Sequence, residues 1–88
     1  MRITRNPGVL ESQLDDELVL LNVQTGRYYG LNRVGRFVWQ TLGESHTLDE
    51  VIAAVMDTHD VTLDRVTADV QALVRRLAQE GLVTMSDA

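Results

Sequence analysis

The chain has 88 residues, 44% of them hydrophobic, and a formal net charge of −5. These values predict one globular domain over residues 1–88 and exclude a deep catalytic cleft built by this chain alone. The sequence has no cysteine, no signal peptide and no long apolar run, so we expect a cytoplasmic protein without disulfides and without a membrane partner. The negative net charge disfavours nucleic acid as a binding partner.

Three consecutive strands are predicted in the first third of the chain. A weak strand runs from Val9 to Leu14, an apolar one from Glu17 to Val23, and a third from Arg27 to Leu31. The turn signals Asp15-Asp16 and Thr25-Gly26 separate them. Short turns favour an antiparallel meander, in which the second strand is central and apolar on both faces, and the third is an edge.

Two helices with clear start signals follow the strands. Asn32 can cap a helix that runs to about Leu42 and ends at Gly43. Thr47 and Glu50 fit a capping box, in which the hydroxyl and the carboxylate each bond a backbone N–H that would otherwise lack a partner.

The third predicted helix has the strongest pattern. Thr62 is its N-cap, and Gly81-Leu82 supply its end. Its apolar positions step by three and four residues: Leu63, Val66, Val70, Leu73 and Leu77. Residues 83–85 are expected to form a short extended tail. The predicted fold class is α+β, with an N-terminal three-stranded antiparallel sheet followed by three helices, and the last two helices resemble a helix-turn-helix unit.

The sequence offers little for catalysis. His46 and His59 lie in predicted loops, without further histidine or cysteine at metal-ligand spacing, and both are interpreted as surface residues. The acidic cluster from Asp15 to Glu17 lacks the ligand pattern of a calcium loop and is interpreted as a solvated turn. We therefore expect no enzymatic activity, no catalytic residues, no cofactor and no metal.

The third strand, Arg27 to Leu31, is the strongest candidate for a functional site. An edge strand exposes unpaired N–H and C=O groups, and this one carries no proline or lysine that would discourage pairing. Alternation puts Arg27, Tyr29 and Leu31 on one face, and Tyr28 and Gly30 on the other. The two tyrosines can simply fill the sheet, but the edge can also bind an extended peptide, with Tyr29 the favoured side chain on the binding side.

The third helix can supply a second wall beside this edge. If it lies alongside the strand, the two form a groove in which backbone bonds give affinity and side-chain pockets give selectivity. The expected peptide-binding residues on this helix are Val66, Asp69, Val70, Leu73 and Arg76.

An ordered set of short motifs resembles the PqqD-like proteins. The run from Leu20 to Asn32 looks like the strand–turn–strand–helix start of that family. The other matching positions are Gly35, Val38-Trp39, Leu48 to Ile52, Asp69-Val70, Leu73-Val74, Leu77 and Gly81 to Val83. The resemblance covers about residues 9 to 83, nearly the whole chain.

Such proteins are recognition elements for RiPPs, the ribosomally made and modified peptides. The resemblance implies a winged helix-turn-helix variant in which the leader segment of a precursor peptide adds as a fourth strand to the third strand, against the third helix. Within the family, the chain is most similar to the stand-alone leader-binding protein of split lasso peptide systems. The partners in those systems are a transglutaminase-like leader protease and a macrolactam cyclase.

Three alternatives stay open at this point. The first alternative is that the chain is equivalent to PqqD itself, a peptide chaperone for a radical SAM enzyme. It can be a winged-helix DNA-binding regulator, although Arg65, Arg75 and Arg76 are balanced by acidic residues on the same helix. It can also be a structural subunit whose edge an enzyme partner covers. An open edge further permits a homodimer formed by pairing with a second copy.

Overall fold

The computed structural model describes residues 1–43 and 45–86. Six strands and three helices follow one another along these residues: β1 (Arg2–Arg5), β2 (Val9–Leu14), β3 (Glu17–Asn22), β4 (Arg27–Leu31), α1 (Arg33–Leu42), β5 (Ser45–Thr47), α2 (Leu48–Thr58), α3 (Leu63–Gln79) and β6 (Val83–Ser86).

The predicted antiparallel meander is confirmed. β2, β3 and β4 form a three-stranded sheet with β3 in the centre, so β4 lies at an edge. Leu20 of β3 stands opposite Tyr29 of β4, and Leu18 stands opposite Leu31. Leu18, Leu20 and Leu31 are buried, so this face of the sheet packs on the helices.

A second sheet was not predicted, and its three strands, β1, β5 and β6, come in addition to the predicted three strands and three helices. β1 is its central strand, with β5 on one side and β6 on the other. Ile3 faces His46 across one pair and Met85 across the other, and its side chain is fully buried. The predicted extended tail at residues 83–85 is thus a paired strand that ties the end of the chain to its beginning.

The predicted helix boundaries are confirmed by their caps. The Asn32 side chain accepts the Gly35 N–H at 2.9 Å, and the Thr62 side chain accepts the Arg65 N–H at the start of α3. α3 ends in a Schellman arrangement, with Leu82 N–H donating to the Leu77 carbonyl at 2.9 Å and Gly81 adopting a φ of +73°. Each helix therefore begins at the cap residue that the sequence predicts, and α3 also ends at its predicted glycine.

One hydrophobic core joins the helices to both sheets. Its largest fully buried side chain is Trp39 of α1, packed among leucine, isoleucine and valine residues of the other elements. The buried amide of Asn22 donates to the Glu80 carbonyl at 3.0 Å and so links the end of β3 to the end of α3. The α+β class is confirmed, whereas the winged helix-turn-helix assignment stays a prediction. Within the described residues, no helix is long and apolar enough to cross a membrane.

Candidate functional site

The outer edge of β4 is unpaired among the described residues. This strand is bonded only to β3, in a register that runs from Leu18–Leu31 to Asn22–Arg27. In an antiparallel strand, alternate backbone N–H and C=O pairs point to either side. The side of β4 that faces away from β3 therefore offers donors and acceptors that a further strand can satisfy.

The two neighbouring tyrosines lie on opposite faces of β4. Tyr29 stands opposite buried Leu20, is half-buried and packs against the core. Tyr28 is 71% exposed and points to the other face, opposite Leu21. The helix-facing side of the edge therefore carries Tyr29, the residue that alternation favours.

α3 and β4 contact each other near the C-terminal end of the helix. Arg27 Nη2 lies 3.3 Å from a Glu80 carboxylate oxygen, and Arg76 Nε lies 3.9 Å from the same oxygen. The Arg76 guanidinium also lies over the Tyr29 ring, 5.8 Å from its centroid. This charged cluster joins strand and helix at the C-terminal end of α3.

An open, mostly apolar pocket of about 90 Å³ lies further toward the start of α3. Four of the predicted α3 residues line it together: Val66, Asp69, Val70 and Leu73. Val66 and Val70 are buried, while Leu73 is half-buried and Asp69 is exposed. A pocket with this lining favours an apolar side chain, with one carboxylate available near it.

Sequence reasoning missed the residues that α1 and α2 contribute to this pocket. They are Val34 and Val38 of α1 and Val55 of α2, together with His59 and Val61 from the segment that follows α2. Val34 of α1 is 41% exposed, and Val61 in the loop before α3 is 38% exposed. Which apolar residues the core leaves uncovered is decided by the packing of the helices, so short sequence patterns carried no signal for them.

The remaining predicted residues fall into different positions. Leu31 is only 2% exposed, so it can offer backbone groups but not its side chain to a ligand. Gly30 lies on the same face as Tyr28, and a Cβ placed on it would meet no atom within 4 Å. The ten predicted residues thus form a charged end, an apolar pocket and an open strand edge, rather than one cluster.

Neither histidine is the simple surface residue that the sequence suggested. His46 is part of β5 and lies 3.5 Å from a Glu50 carboxylate oxygen. His59 lines the pocket, makes an edge-on contact with the Phe37 ring at 5.2 Å and lies 3.2 Å from the Val55 carbonyl. Both are half-buried because they sit where elements meet. Across residues 1–43 and 45–86, no group of three or more metal-binding side chains comes together.

Comparison with known proteins gives one family and two close structural matches. Residues 17–83 match the family model described as coenzyme PQQ synthesis protein D, PqqD. The structure of TbiB1 in complex with the TbiA(beta) leader peptide is 31% identical, with a TM-score of 0.84, over 97% of this chain and 99% of that one. A lasso peptide synthetase B1 complexed with the leader peptide is 26% identical, with a TM-score of 0.81, over 94% and 98%. Among curated proteins no sequence matches significantly.

Proposed function

The chain belongs to the PqqD family, and we propose that its 88 residues form a single recognition domain for the leader segment of a ribosomal precursor peptide. The leader adds as a strand to the free edge of β4 and packs against α3. The domain is non-catalytic and acts in the cytoplasm, where precursor peptides are made. The product is a lasso peptide.

The observation that carries this proposal is the unpaired edge of β4, in a domain whose helix α3 contacts β4 through Arg76 and also lines an apolar pocket. Backbone hydrogen bonds to an edge strand supply affinity that depends little on sequence, while a pocket for alternate side chains supplies selectivity. Both parts are present here, because β4 pairs only with β3 among the described residues and α3 lines the pocket. The two structural matches, which contain leader peptides, support the same assignment.

The groove favours a peptide with an apolar anchor. Leu73 is half-buried at the pocket, and Val34 at its rim is 41% exposed, so an inserted side chain would remove apolar surface from water. Each fully buried aliphatic side chain contributes about 1.5–3 kcal/mol. At the other end, Arg76 and Tyr29 offer a cation and a ring face to the next part of the strand.

A bound leader would bring the rest of the precursor to the enzymes that process it. In this proposal the partners are a transglutaminase-like protease, which removes the leader, and a macrolactam cyclase. Tethering the substrate raises its local concentration at the enzyme without a new catalytic group on this chain. The absence of an evident catalytic constellation in the sequence fits that role.

The family match also supports a second candidate. A PqqD-type chaperone would present its peptide to a radical SAM enzyme, and the matching family model is described as coenzyme PQQ synthesis protein D. The two are distinguished by the partner enzyme: processing by a leader protease supports the lasso assignment, and stimulation of a radical enzyme supports the other.

Titration of a fluorescently labelled leader peptide, taken from the precursor encoded beside this gene, tests the proposal. Saturable one-to-one binding is expected, with a scrambled leader of the same composition as the control. Absence of saturable binding up to millimolar peptide would contradict it. A gel shift on DNA of the same operon that weakens steeply with salt would instead support a DNA-binding regulator.

A further inference from the structure

The sheet β2–β3–β4 has a second face, directed away from the helices, that carries exposed apolar side chains. Leu10, Leu21 and Tyr28 stand opposite one another across the three strands, and directly opposed residues share a face. Leu14 and Val19 lie on the same face by alternation. We call Leu10, Leu14, Val19, Leu21 and Tyr28 the outer face.

The outer face is unusually exposed for its composition. Leu10 is 55% exposed, Leu14 is 59% exposed and Tyr28 is 71% exposed, while Val19 and Leu21 are half-buried. An antiparallel sheet with one solvated face normally carries polar residues there. Ser12 and Glu17 share this face, but exposed apolar side chains spread over three strands instead mark an interaction site.

The charges around the outer face favour a basic partner protein over a second copy of this chain as the molecule that covers it. Asp15 and Asp16 form the turn at one end of it, and Glu17 stands opposite Leu14 on the face itself. The chain as a whole carries a formal charge of −5, so a second copy would bring like charges together. A partner with an apolar patch bordered by lysine or arginine is complementary to this surface.

The outer face is also continuous with the proposed peptide site. A strand added to β4 extends the same sheet, so every second side chain of the bound leader would lie beside Tyr28 on this face. A protein seated on the outer face would therefore contact both the recognition domain and the peptide that it holds.

We infer that the outer face is the docking surface for the enzyme that processes the bound peptide, and that this enzyme presents an apolar patch with a basic border. The inference rests on the proposed function, which it extends from the peptide to its enzyme. It separates two surfaces of one sheet: the edge of β4 binds substrate, and the outer face binds the partner.

Three variants test this assignment. The double variant Leu10→Thr/Leu14→Thr removes apolar surface at exposed positions on β2, the strand farthest from the peptide edge, and keeps side chains that suit a strand. Glu17→Lys reverses the charge at the acidic end. Met56→Gln, at a position on α2 that is 38% exposed, is the matched control for loss of exposed apolar surface elsewhere.

Two affinities are measured for each variant. Fluorescence anisotropy gives the affinity for the labelled leader. Surface plasmon resonance, with and without leader, gives the affinity for the leader protease encoded beside the gene. For the double variant we expect a leader Kd within twofold of wild type and a protease Kd at least tenfold higher. Glu17→Lys should raise the protease Kd about threefold, and Met56→Gln should change neither.

The failures of the two proposals are distinguishable. If wild type binds no leader but its affinity for the protease falls in the double variant, the proposed function fails and the docking surface stands. If the double variant binds leader and protease as wild type does, the outer face is not the docking surface. A wild-type dimer in sedimentation that the double variant converts to a monomer, with protease affinity unchanged, would assign the face to a second copy and overturn the inference.

Discussion

The Arg76 guanidinium lies over the ring of Tyr29, 5.8 Å from the ring centroid, and so joins α3 to β4. Arg76 also lies 3.9 Å from the Glu80 carboxylate, which Arg27 of β4 approaches to 3.3 Å. These contacts link the strand to the C-terminal end of the helix, and the pocket that Leu73 lines lies further toward the start of α3. The Tyr29 ring therefore has a defined position where β4 meets α3.

Replacing Tyr29 with alanine should weaken leader binding about tenfold, because the ring contributes both apolar area and the face that Arg76 covers. Tyr29→Phe keeps the ring and should stay within about threefold of wild type. Anisotropy titration measures both, with circular dichroism to show that the variants are folded. A larger loss of affinity for Tyr28→Ala than for Tyr29→Ala would contradict the assignment of Tyr29 as the tyrosine that contacts the peptide.

Leu73→Ala should also weaken leader binding, by about 1–2 kcal/mol, since it removes half-buried apolar surface from the pocket that receives the anchor side chain. Gln40→Ala is the control on the exposed side of α1 and should leave the affinity unchanged. Isothermal titration calorimetry resolves the difference. Equal effects of the two substitutions would argue that the pocket is not part of the site.

Proline substitutions at Tyr28 and Tyr29 should give two different phenotypes. Neighbouring residues of a strand direct their N–H groups to opposite sides, so one of these donors points to β3 and the other to the free edge. Proline on the β3 side removes a bond within the sheet and should lower the free energy of unfolding. Proline on the free side should leave the fold intact and abolish leader binding.

Circular dichroism melts and leader titration of the two proline variants provide the measurement. Pairing of the leader with the β4 backbone requires that one of the two variants is folded but unable to bind. Two stable variants that both bind the leader with wild-type affinity would show that the β4 backbone does not pair with it.

The capping box of α2 should make stability depend on pH. The Thr47 hydroxyl and the Thr47 N–H both donate to Glu50 Oε1, at 2.7 and 3.2 Å, and these bonds lower the pKa of Glu50 below its ordinary value. A pKa that is lower in the folded state adds stability above the unfolded-state pKa, and this is lost as the pH falls through the folded-state pKa.

The difference in unfolding free energy between wild type and Glu50→Gln should therefore be full near about pH 7 and should shrink as the pH falls through the lowered, folded-state pKa of Glu50. Thr47→Ala should cost about 1 kcal/mol at neutral pH. Urea titrations at several pH values measure both. A difference that grows as the pH falls would contradict the assigned role of the carboxylate.

Local chemistry in the sequence was sufficient to predict the meander and the helix ends. Asn32, Thr47 and Thr62 cap helices as expected, and Gly81 has the positive φ that ends α3. These features depend on residues three to six positions apart, so their signals are read directly from short segments. The α3 side of the pocket followed from the same helical periodicity.

Features that depend on distant pairing could not be predicted in this way. β1 pairs with β5 and with β6. Its partner residues in β5 lie more than 40 residues further along the chain, as in Arg2–Thr47, and those in β6 lie more than 75 residues further, as in Arg2–Ser86. Its four residues carry no turn signal or alternation that distinguishes them from a polar terminus. The contributions of Val34 and His59 to the pocket likewise arise only when α1, α2 and α3 pack together.

The apolar character of β3 was predicted, but its meaning was not. The sequence predicted a central strand that is apolar on both faces, and Val19 and Leu21 belong to a face on which Leu10 and Tyr28 stay largely exposed. A hydrophobic pattern shows which residues form an apolar surface, but it does not show whether the core of the same chain or another molecule covers that surface.

Amide hydrogen exchange of β4 with and without the leader tests the central claim most directly. β2 is the opposite edge of the same sheet and serves as the internal control. Pairing of the leader with β4 predicts that the outward-facing amides among residues 27–31 exchange at least about tenfold more slowly in the complex, with β2 unchanged. Saturable leader binding that leaves the β4 amides unprotected, or that protects β2 instead, would contradict the account.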